Sequence, residues 1–136
     1  MIKTLVLDNN VEELSKLAGY IEEFADEAGI DPSLAMSLNL ALEEAATNVV
    51  LYAYPEGTHG TLEIIGEVKE NILTFFLKDS GVAFDPTEKE DADVTLGIEE
   101  RPIGGLGIFL IRQLMDSVSY ERKDGQNILK MTKKLN

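Results

Sequence analysis

The sequence contains no cysteine and no tryptophan, and it has a single histidine among its 136 residues. Without cysteine, the chain can form neither a disulfide framework nor a thiolate metal site. No apolar run approaches the roughly 20 residues of a membrane-spanning helix, and the apolar N-terminal run is too short for a signal peptide. We therefore expect a cytoplasmic protein without a membrane segment.

Basic residues are also scarce. The chain has 12 lysines and arginines against 25 aspartates and glutamates, which gives a formal net charge of −13. Direct binding to nucleic acid requires a basic face, so this balance argues against it. The acidity accounts for solubility, and it also suits a basic protein partner, because complementary charges steer association.

The length and the 44% hydrophobic content are those of one domain with a real core, and we expect a single domain over residues 1–136. The periodic segments predict a strand, two helices, two strands, a long loop over residues 86–103, a helix and two strands. This order favours an α+β fold, a two-layer sandwich in which helices cover one face of a mixed, mostly antiparallel sheet. Long loops of this kind often act as lids.

Local signals place the ends of several elements. The first helix is predicted to begin at Val11 and to stop at Gly29, and Asp31-Pro32 supplies the cap and first residue of the second helix. That helix must end near Pro55. The sequences Lys69-Glu70-Asn71 and Asp124-Gly125 predict two hairpin turns.

The second helix carries the first candidate for chemistry. Glu44 and Asn48 are four residues apart and therefore point from one face, and Ser37 and Ala41 on the same side leave room for a ligand. Taken alone, this helix favours the simpler interpretation, an exposed polar stripe on an amphipathic helix.

A second candidate is Asp79-Ser80-Gly81, which follows a predicted strand. A carboxylate at a strand end can accept a hydrogen bond from an exocyclic amine such as that of adenine. Gly81 has no Cβ, so a flat ring could approach the backbone there. An ordinary turn, with Asp79 bonding nearby amides, remains open.

A third candidate is the glycine-rich segment Gly104-Gly105-Leu106-Gly107, which precedes an apolar helix. Glycines let backbone N–H groups turn toward one point, and a helix N-terminus adds positive potential, so both favour a phosphate. A flexible hinge would have the same composition. Neither a P-loop nor a strand-linked Gly-x-Gly-x-x-Gly is present.

Taken together and in order, the three segments resemble the GHKL (Bergerat-fold) ATPases, and within them the anti-sigma factor serine-protein kinases. The stretch from Leu42 to Tyr54 is similar to the N-box of that family, and Asp79 to Pro86, with its Phe-Asp-Pro ending, is similar to the first glycine box. Gly104 to Gly107, followed by Ile108, resembles the second. The resemblance covers nearly the whole chain.

The resemblance implies a role for each segment. Glu44 would be the general base, Asn48 would coordinate Mg²⁺, and Asp79 would receive the amine of adenine. Arg101 could neutralise a phosphate, or it could be a surface charge. The remaining implied nucleotide contacts, in the two glycine boxes, are Gly81, Phe84, Gly104, Gly105, Leu106, Gly107 and Ile108.

The chain departs from the pattern at two places. Relatives often have His where this chain has Tyr52, a position that need not touch ATP. They also often have a Thr on the last strand that helps to bind adenine, whereas Gln126 and Asn127 stand nearby here and Thr132 is further on, so the contact cannot be placed. The single histidine, His59, is expected to be a loop residue.

The resemblance implies an ATP-dependent protein serine/threonine kinase that phosphorylates an anti-sigma factor antagonist and sequesters a sigma factor, in some relatives as a homodimer. The alternative is a nucleotide-binding module that sequesters a partner protein without kinase turnover. A catalytic fragment of a histidine kinase is disfavoured, because no phosphoacceptor-histidine helix is evident, and three motifs in register argue against a protein without a ligand.

Overall fold

The structure is a computed structural model that describes residues 1–88 and 105–135. The predicted loop therefore lies mostly outside the described residues. Its elements in chain order are β1 (Ile2–Asp8), a 3₁₀ turn (Val11–Ser15), α1 (Lys16–Ala28), α2 (Pro32–Asn48), a π-helical turn (Val49–Ala53), β2 (Thr61–Lys69), β3 (Ile72–Asp79), a second 3₁₀ turn (Pro86–Glu88), α3 (Gly105–Leu114), β4 (Ser117–Lys123) and β5 (Gln126–Lys134).

The five strands form one sheet in the order β1-β2-β3-β5-β4. The α+β architecture is as predicted, but the expectation of a mixed sheet is wrong, because each pairing between the described strands is antiparallel. The chain returns from α3 to the outer edge with β4, and β5 then folds back between β4 and β3. β4 is thus parallel to β3 without being its neighbour.

Within residues 1–88 and 105–135, the buried side chains of the sheet lie on one face. Along β2 and β3 the buried side chains alternate with less buried ones, which is the period of a strand that is covered on one side. The helices supply the cover, and Phe24 of α1 packs against Phe75 of β3 with ring centroids 5.2 Å apart. The predicted packing of the helices on one face is therefore confirmed.

The ends of the helices follow the local signals, with one exception. Gly29 ends α1 in the left-handed conformation (φ 72°), and the Asp31 carboxylate accepts hydrogen bonds from the amides of Ser33 and Leu34 at the start of α2. The first helix does not begin at Val11, because residues 11–15 form a 3₁₀ turn that leaves Val11 exposed. None of the helices in the described residues is long and apolar enough to cross a membrane.

Both predicted hairpin turns are present. Glu70 and Asn71 have φ values of 53° and 65°, and Asp124 and Gly125 have values of 53° and 77°. Positive φ at both central residues characterises the type I′ turn, whose twist matches that of the strands it joins. These turns fix the register of both hairpins, which the site described next depends on.

Candidate functional site

A small pocket with a cavity volume of about 20 Å³ lies where the end of α2 meets β3, β5 and the segment after β3. Its walls are mainly apolar, with a few polar groups converging on one side, which is the usual composition of a small-molecule site. The lining residues are Ala45, Asn48, Val49, Leu77, Asp79, Phe84, Pro86, Ile111, Tyr120, Asn127 and Leu129.

Asn48 is the last residue of α2, and it interrupts a buried helix face that otherwise carries leucine and alanine. It is 5% exposed, so the exposed-stripe interpretation is wrong for this residue. Among the described residues its side-chain amide has no hydrogen-bond partner. Its amide is not among the enclosed polar atoms of the described residues that lack a partner, so it is open to the pocket, where it is available to a ligand.

Asp79 ends β3 on the buried face of the sheet and is 4% exposed. Its Oδ1 accepts hydrogen bonds from the Gly81 amide (2.9 Å) and from Asn127 Nδ2 (2.8 Å). Burial raises the pKa of the Asp79 carboxyl above its ordinary value, although these two bonds and the Arg122 charge oppose that shift. Asp79 can therefore serve both as the acceptor within the turn and as an acceptor for a ligand. The turn uses Oδ1, and Oδ2 is left for the ligand.

The fold itself requires a glycine at position 81. A Cβ at this position would lie 2.2 Å from the carbonyl oxygen of Ala53, in the π-helical turn. The adjacent Val82 amide donates to the same oxygen at 2.6 Å. The segment after β3 thus packs directly on the backbone that follows α2, and only glycine permits that approach. The predicted contact of Gly81 with an adenine ring stays a prediction.

Phe84 lines the pocket and stacks on Tyr52, with ring centroids 5.8 Å apart and an interplanar angle of 28°. Tyr52 belongs to the π-helical turn, at the position where relatives often have His. The two rings therefore tie the wall of the pocket to the end of α2. Offset aromatic pairs of this kind stabilise by about 0.5–1.5 kcal/mol beyond the area they bury.

Glu44 is half-buried and lies one turn before Asn48 on α2. Ser37 and Ala41, expected to leave room for the ligand, instead line a separate groove between α2 and α3. The small residue that opens the pocket is Ala45, one position after Glu44. Sequence reasoning missed it because its burial looked like ordinary core packing.

The glycine-rich segment is described only in part. α3 begins at Gly105, in agreement with the predicted helix start, and Ile108 in its first turn is fully buried. Arg101 and Gly104 lie outside the described residues, as does the side chain of Leu106. The expected phosphate contacts of Gly105, Leu106, Gly107 and Ile108 stay predictions.

Asn127 and Tyr120 are pocket residues that sequence reasoning did not assign. Asn127 is the direct partner of Asp79 in the register between β3 and β5, and it is 4% exposed. A polar residue in the second position of a strand that otherwise alternates Leu and Met on its buried face was a usable signal. The strand order that brings it beside Asp79 was not available from the sequence.

The model of the histidine kinase-like ATPase domain matches residues 7–133, nearly the whole chain. The chain belongs to this family. The histidine kinase-like ATPase domain thus includes each segment that forms the pocket, from the end of α2 to the start of β5. Membership implies that the domain binds a nucleotide, and the pocket described above is where the buried polar groups converge.

Named relatives of this ATPase domain are protein kinases. The chain is 29% identical over 99 residues to the serine/threonine-protein kinase BtrW of Bordetella bronchiseptica, covering 73% of this chain and 70% of that protein. It is 35% identical over 100 residues to the serine-protein kinase RsbW of Bacillus cereus, covering 71% of this chain and 61% of RsbW. The match thus spans less than two thirds of RsbW.

A solved structure supports the fold. The histidine kinase domain of the blue-light activated histidine kinase of Erythrobacter litoralis is 16% identical to this chain, with a TM-score of 0.58 over 92% of the chain and 60% of that domain. At that identity the likeness concerns architecture alone. It agrees with the two-layer α+β arrangement described above.

Proposed function

We propose that this chain is an ATP-dependent protein serine/threonine kinase that acts as an anti-sigma factor. The observation that carries the proposal is the pair of buried polar side chains at the pocket, Asn48 and Asp79. Asn48 has no partner within the described part of the chain, and Asp79 keeps one carboxylate oxygen for a ligand. Similarity to the kinases BtrW and RsbW supports the same activity.

The apolar walls of the pocket suit a flat ring, and Asp79 is an acceptor for one amine at its edge. Adenine has both features, whereas guanine presents a carbonyl where the amine would be. A carboxylate facing that carbonyl would lose a hydrogen bond and gain a repulsion. We therefore assign the base to Asp79 and the wall formed by Phe84, and expect ATP rather than GTP.

The position of Asn48 fits a metal-bound nucleotide. Mg²⁺ usually takes one or two protein oxygens and fills its remaining positions with phosphate oxygens and water, so a single amide oxygen from Asn48 is sufficient. When bound, the ion supplies neutralisation of charge on the phosphates. The first turn of α3, from Gly105 to Ile108, offers backbone N–H groups for the same phosphates.

Glu44 precedes Asn48 by one turn, so both side chains project from one side of α2. In the proposed reaction, Glu44 accepts the proton of a substrate serine hydroxyl. The serine oxygen then bonds to the γ-phosphorus while the bond from that phosphorus to the bridging oxygen breaks, which leaves phosphoserine and ADP. Chemistry of this kind depends mainly on positioning and charge neutralisation.

We assign a sigma factor and an anti-sigma factor antagonist as the protein partners, with the antagonist as the phosphorylated substrate and the cytoplasm as the location. The resemblance of the sequence to the anti-sigma factor kinases supports this assignment, and the formal charge of −13 suits a basic partner surface. A homodimer fits the same proposal.

The test is transfer of labelled phosphate from ATP to the cognate antagonist. Glu44→Ala should lower the transfer rate by about 10²–10⁴-fold, the usual contribution of a positioned base, and should keep most of the ATP affinity. The matched control is Glu43→Ala, which removes an exposed carboxylate from the neighbouring position on α2 and should leave the rate unchanged.

Asn48→Ala should behave differently from Glu44→Ala, because it should also lose Mg²⁺-dependent affinity for ATP. Transfer at the parent rate by Glu44→Ala would show that Glu44 is not the base. If the parent binds ATP but phosphorylates no antagonist, the module that sequesters a partner without turnover replaces the kinase.

A further inference from the structure

The Asn127 side chain, at the start of β5, lies at the centre of a hydrogen-bond network. Its Nδ2 donates to Asp79 Oδ1 and to the Val82 carbonyl, both at 2.8 Å. Its Oδ1 accepts from the Phe84 amide (3.2 Å), from the Tyr120 hydroxyl (2.5 Å) and from Arg122 Nη1 (3.1 Å). One buried amide therefore contacts β3, β4 and the segment after β3.

The partners fix which way this amide points. The groups on the Nδ2 side, Asp79 and Val82, offer only acceptors, and those on the Oδ1 side offer N–H or O–H donors. A flipped amide would place its oxygen against a carboxylate and a carbonyl, and would face its NH₂ toward two N–H donors. Both protons and all the acceptor capacity of the amide are used, so Asn127 has nothing left for a ligand.

We infer that Asn127 is a positioning residue that selects the base by holding Asp79, rather than by touching the nucleotide. Together with the Gly81 amide it occupies Oδ1 of Asp79 and so leaves Oδ2 as the acceptor that faces an exocyclic amine. This inference rests on the proposed binding of adenine at Asp79. It assigns to Asn127 a role that the sequence left open for the last strand.

The same amide also holds the wall of the pocket. Through the Val82 carbonyl and the Phe84 amide, Asn127 fixes the backbone on both sides of Ala83, and Phe84 is the aromatic residue that lines the pocket. The acceptor for the amine and the ring that would flank the base are thus set by one side chain. An error in its placement would disturb both at once.

The decisive variant is Asn127→Asp, which has nearly the same shape and keeps acceptors for Phe84, Tyr120 and Arg122. It removes the amide that donates to Asp79 and to the Val82 carbonyl, so two carboxylates face each other. Affinities should be measured by calorimetry for ATP and for purine riboside triphosphate, which lacks the amine. At about pH 7.5 the ratio of the affinity for ATP to the affinity for that analogue should be roughly tenfold lower in the variant than in the parent.

The preference of Asn127→Asp should return as the pH is lowered. Repulsion raises the apparent pKa of the carboxylate pair, and a proton shared between them restores an O–H donor toward Asp79. The other titratable groups facing the pair are Tyr120 and Arg122 of β4. The parent should show no such return. Gln126→Glu, the same amide-to-acid change one position earlier, should behave like the parent.

An unchanged preference in Asn127→Asp, or an equal loss for both nucleotides at every pH, overturns the inference, because the second pattern is that of a purely structural residue. If the variant does not fold, Tyr120→Phe removes one donor that holds Asn127 and should lower the preference severalfold; a preference equal to that of the parent contradicts the role.

Failure of the proposed function would be visible separately, because the parent would then bind neither nucleotide or would not distinguish them. In that case the test is the thermal unfolding of the parent and the variant without nucleotide. Asn127→Asp should unfold at a lower temperature than the parent at about pH 7.5, and the gap should narrow as the pH falls. A gap that does not change with pH would count against the contact with Asp79.

Discussion

At the scale of single residues, the site keeps polar groups where the fold alone would favour apolar ones. Asp79 is buried on the inner face of β3, and burial raises its pKa, which means that the folded state disfavours the charged carboxylate. Asn48 is 5% exposed and places a polar amide on the wall of the pocket. Residues retained at a cost to stability are characteristic of functional sites.

Asp79→Asn should therefore stabilise the ligand-free protein at neutral pH while removing its preference for ATP. The amide oxygen can still accept from Gly81 and Asn127, but no charge is buried. Because the pKa of Asp79 is raised on folding, the free energy of unfolding of the parent falls as the pH rises above the ordinary value of 3.8, and the variant avoids that loss.

The measurement is chemical denaturation of both proteins without nucleotide, at about pH 4.5 and about pH 7.5, where the advantage of Asp79→Asn should be larger at the higher pH. A variant that is less stable than the parent at the higher pH would show that the carboxylate stabilises the fold. Calorimetry on the same samples reports the loss of ATP preference.

At the scale of elements, the site depends on the way α2 ends. The helix passes into a π-helical turn from Val49 to Ala53, and that turn receives the segment after β3 through the Ala53 carbonyl and the Tyr52 ring. π-Helical turns are rare in proteins, and those that occur are often found at functional sites. Here the turn brings Asn48 and Asp79, which come from different elements, to one pocket.

Gly81→Ala tests that contact. The added Cβ would lie 2.2 Å from a backbone oxygen, so the loop or the turn must move, and we expect a loss of about 1–3 kcal/mol in the free energy of unfolding. Gly19→Ala is the matched control, because nothing lies within 4 Å of its Cβ in α1, and it should stabilise by about 0.5–1 kcal/mol.

Urea denaturation of the two glycine variants should thus give changes of opposite sign. Equal stability of Gly81→Ala and the parent would mean that the loop tolerates a side chain against Ala53. The reduced packing in Gly81→Ala should also weaken ATP binding, since the loop carries Phe84.

The elements themselves were predictable where the residues concerned act on their own backbone. Gly29 ends a helix, Asp31 caps one, and Asp124-Gly125 makes a tight turn, because each preference is local. The pairing of Asp79 with Asn127 was not predictable in this way. It depends on β5 entering the sheet between β3 and β4, which is decided by packing over the whole chain.

The candidate site was likewise predictable only in part from the sequence. The first two motifs contain Asn48, Asp79 and Phe84, and the structure brings these three side chains to one pocket. Ala45 and Ile111, which form apolar walls of the pocket, could not be predicted as site residues. Core positions and pocket positions of a helix have the same apolar periodicity. The prediction of a mixed sheet was wrong because no local sequence signal gives the direction of β5 relative to β3.

At the scale of the whole molecule, a single sheet with helices on one face places the pocket at one end of the helical layer. The chain matches the histidine kinase-like ATPase family over residues 7–133, a range that includes the described elements lining the pocket. The formal charge of −13 repels free polyphosphates at long range. We therefore expect the binding of ATP to depend on short-range contacts in the pocket and on a cation bound with the phosphates.

The most direct test of the central claim is calorimetric titration of the parent with ATP and with GTP, each in the presence and absence of Mg²⁺, beside Asn48→Ala. We expect Mg²⁺-dependent binding of ATP by the parent, GTP binding weaker by at least about 100-fold, and little Mg²⁺ dependence in Asn48→Ala. Equal affinity of the parent for the two nucleotides, or no binding of either, would contradict the account.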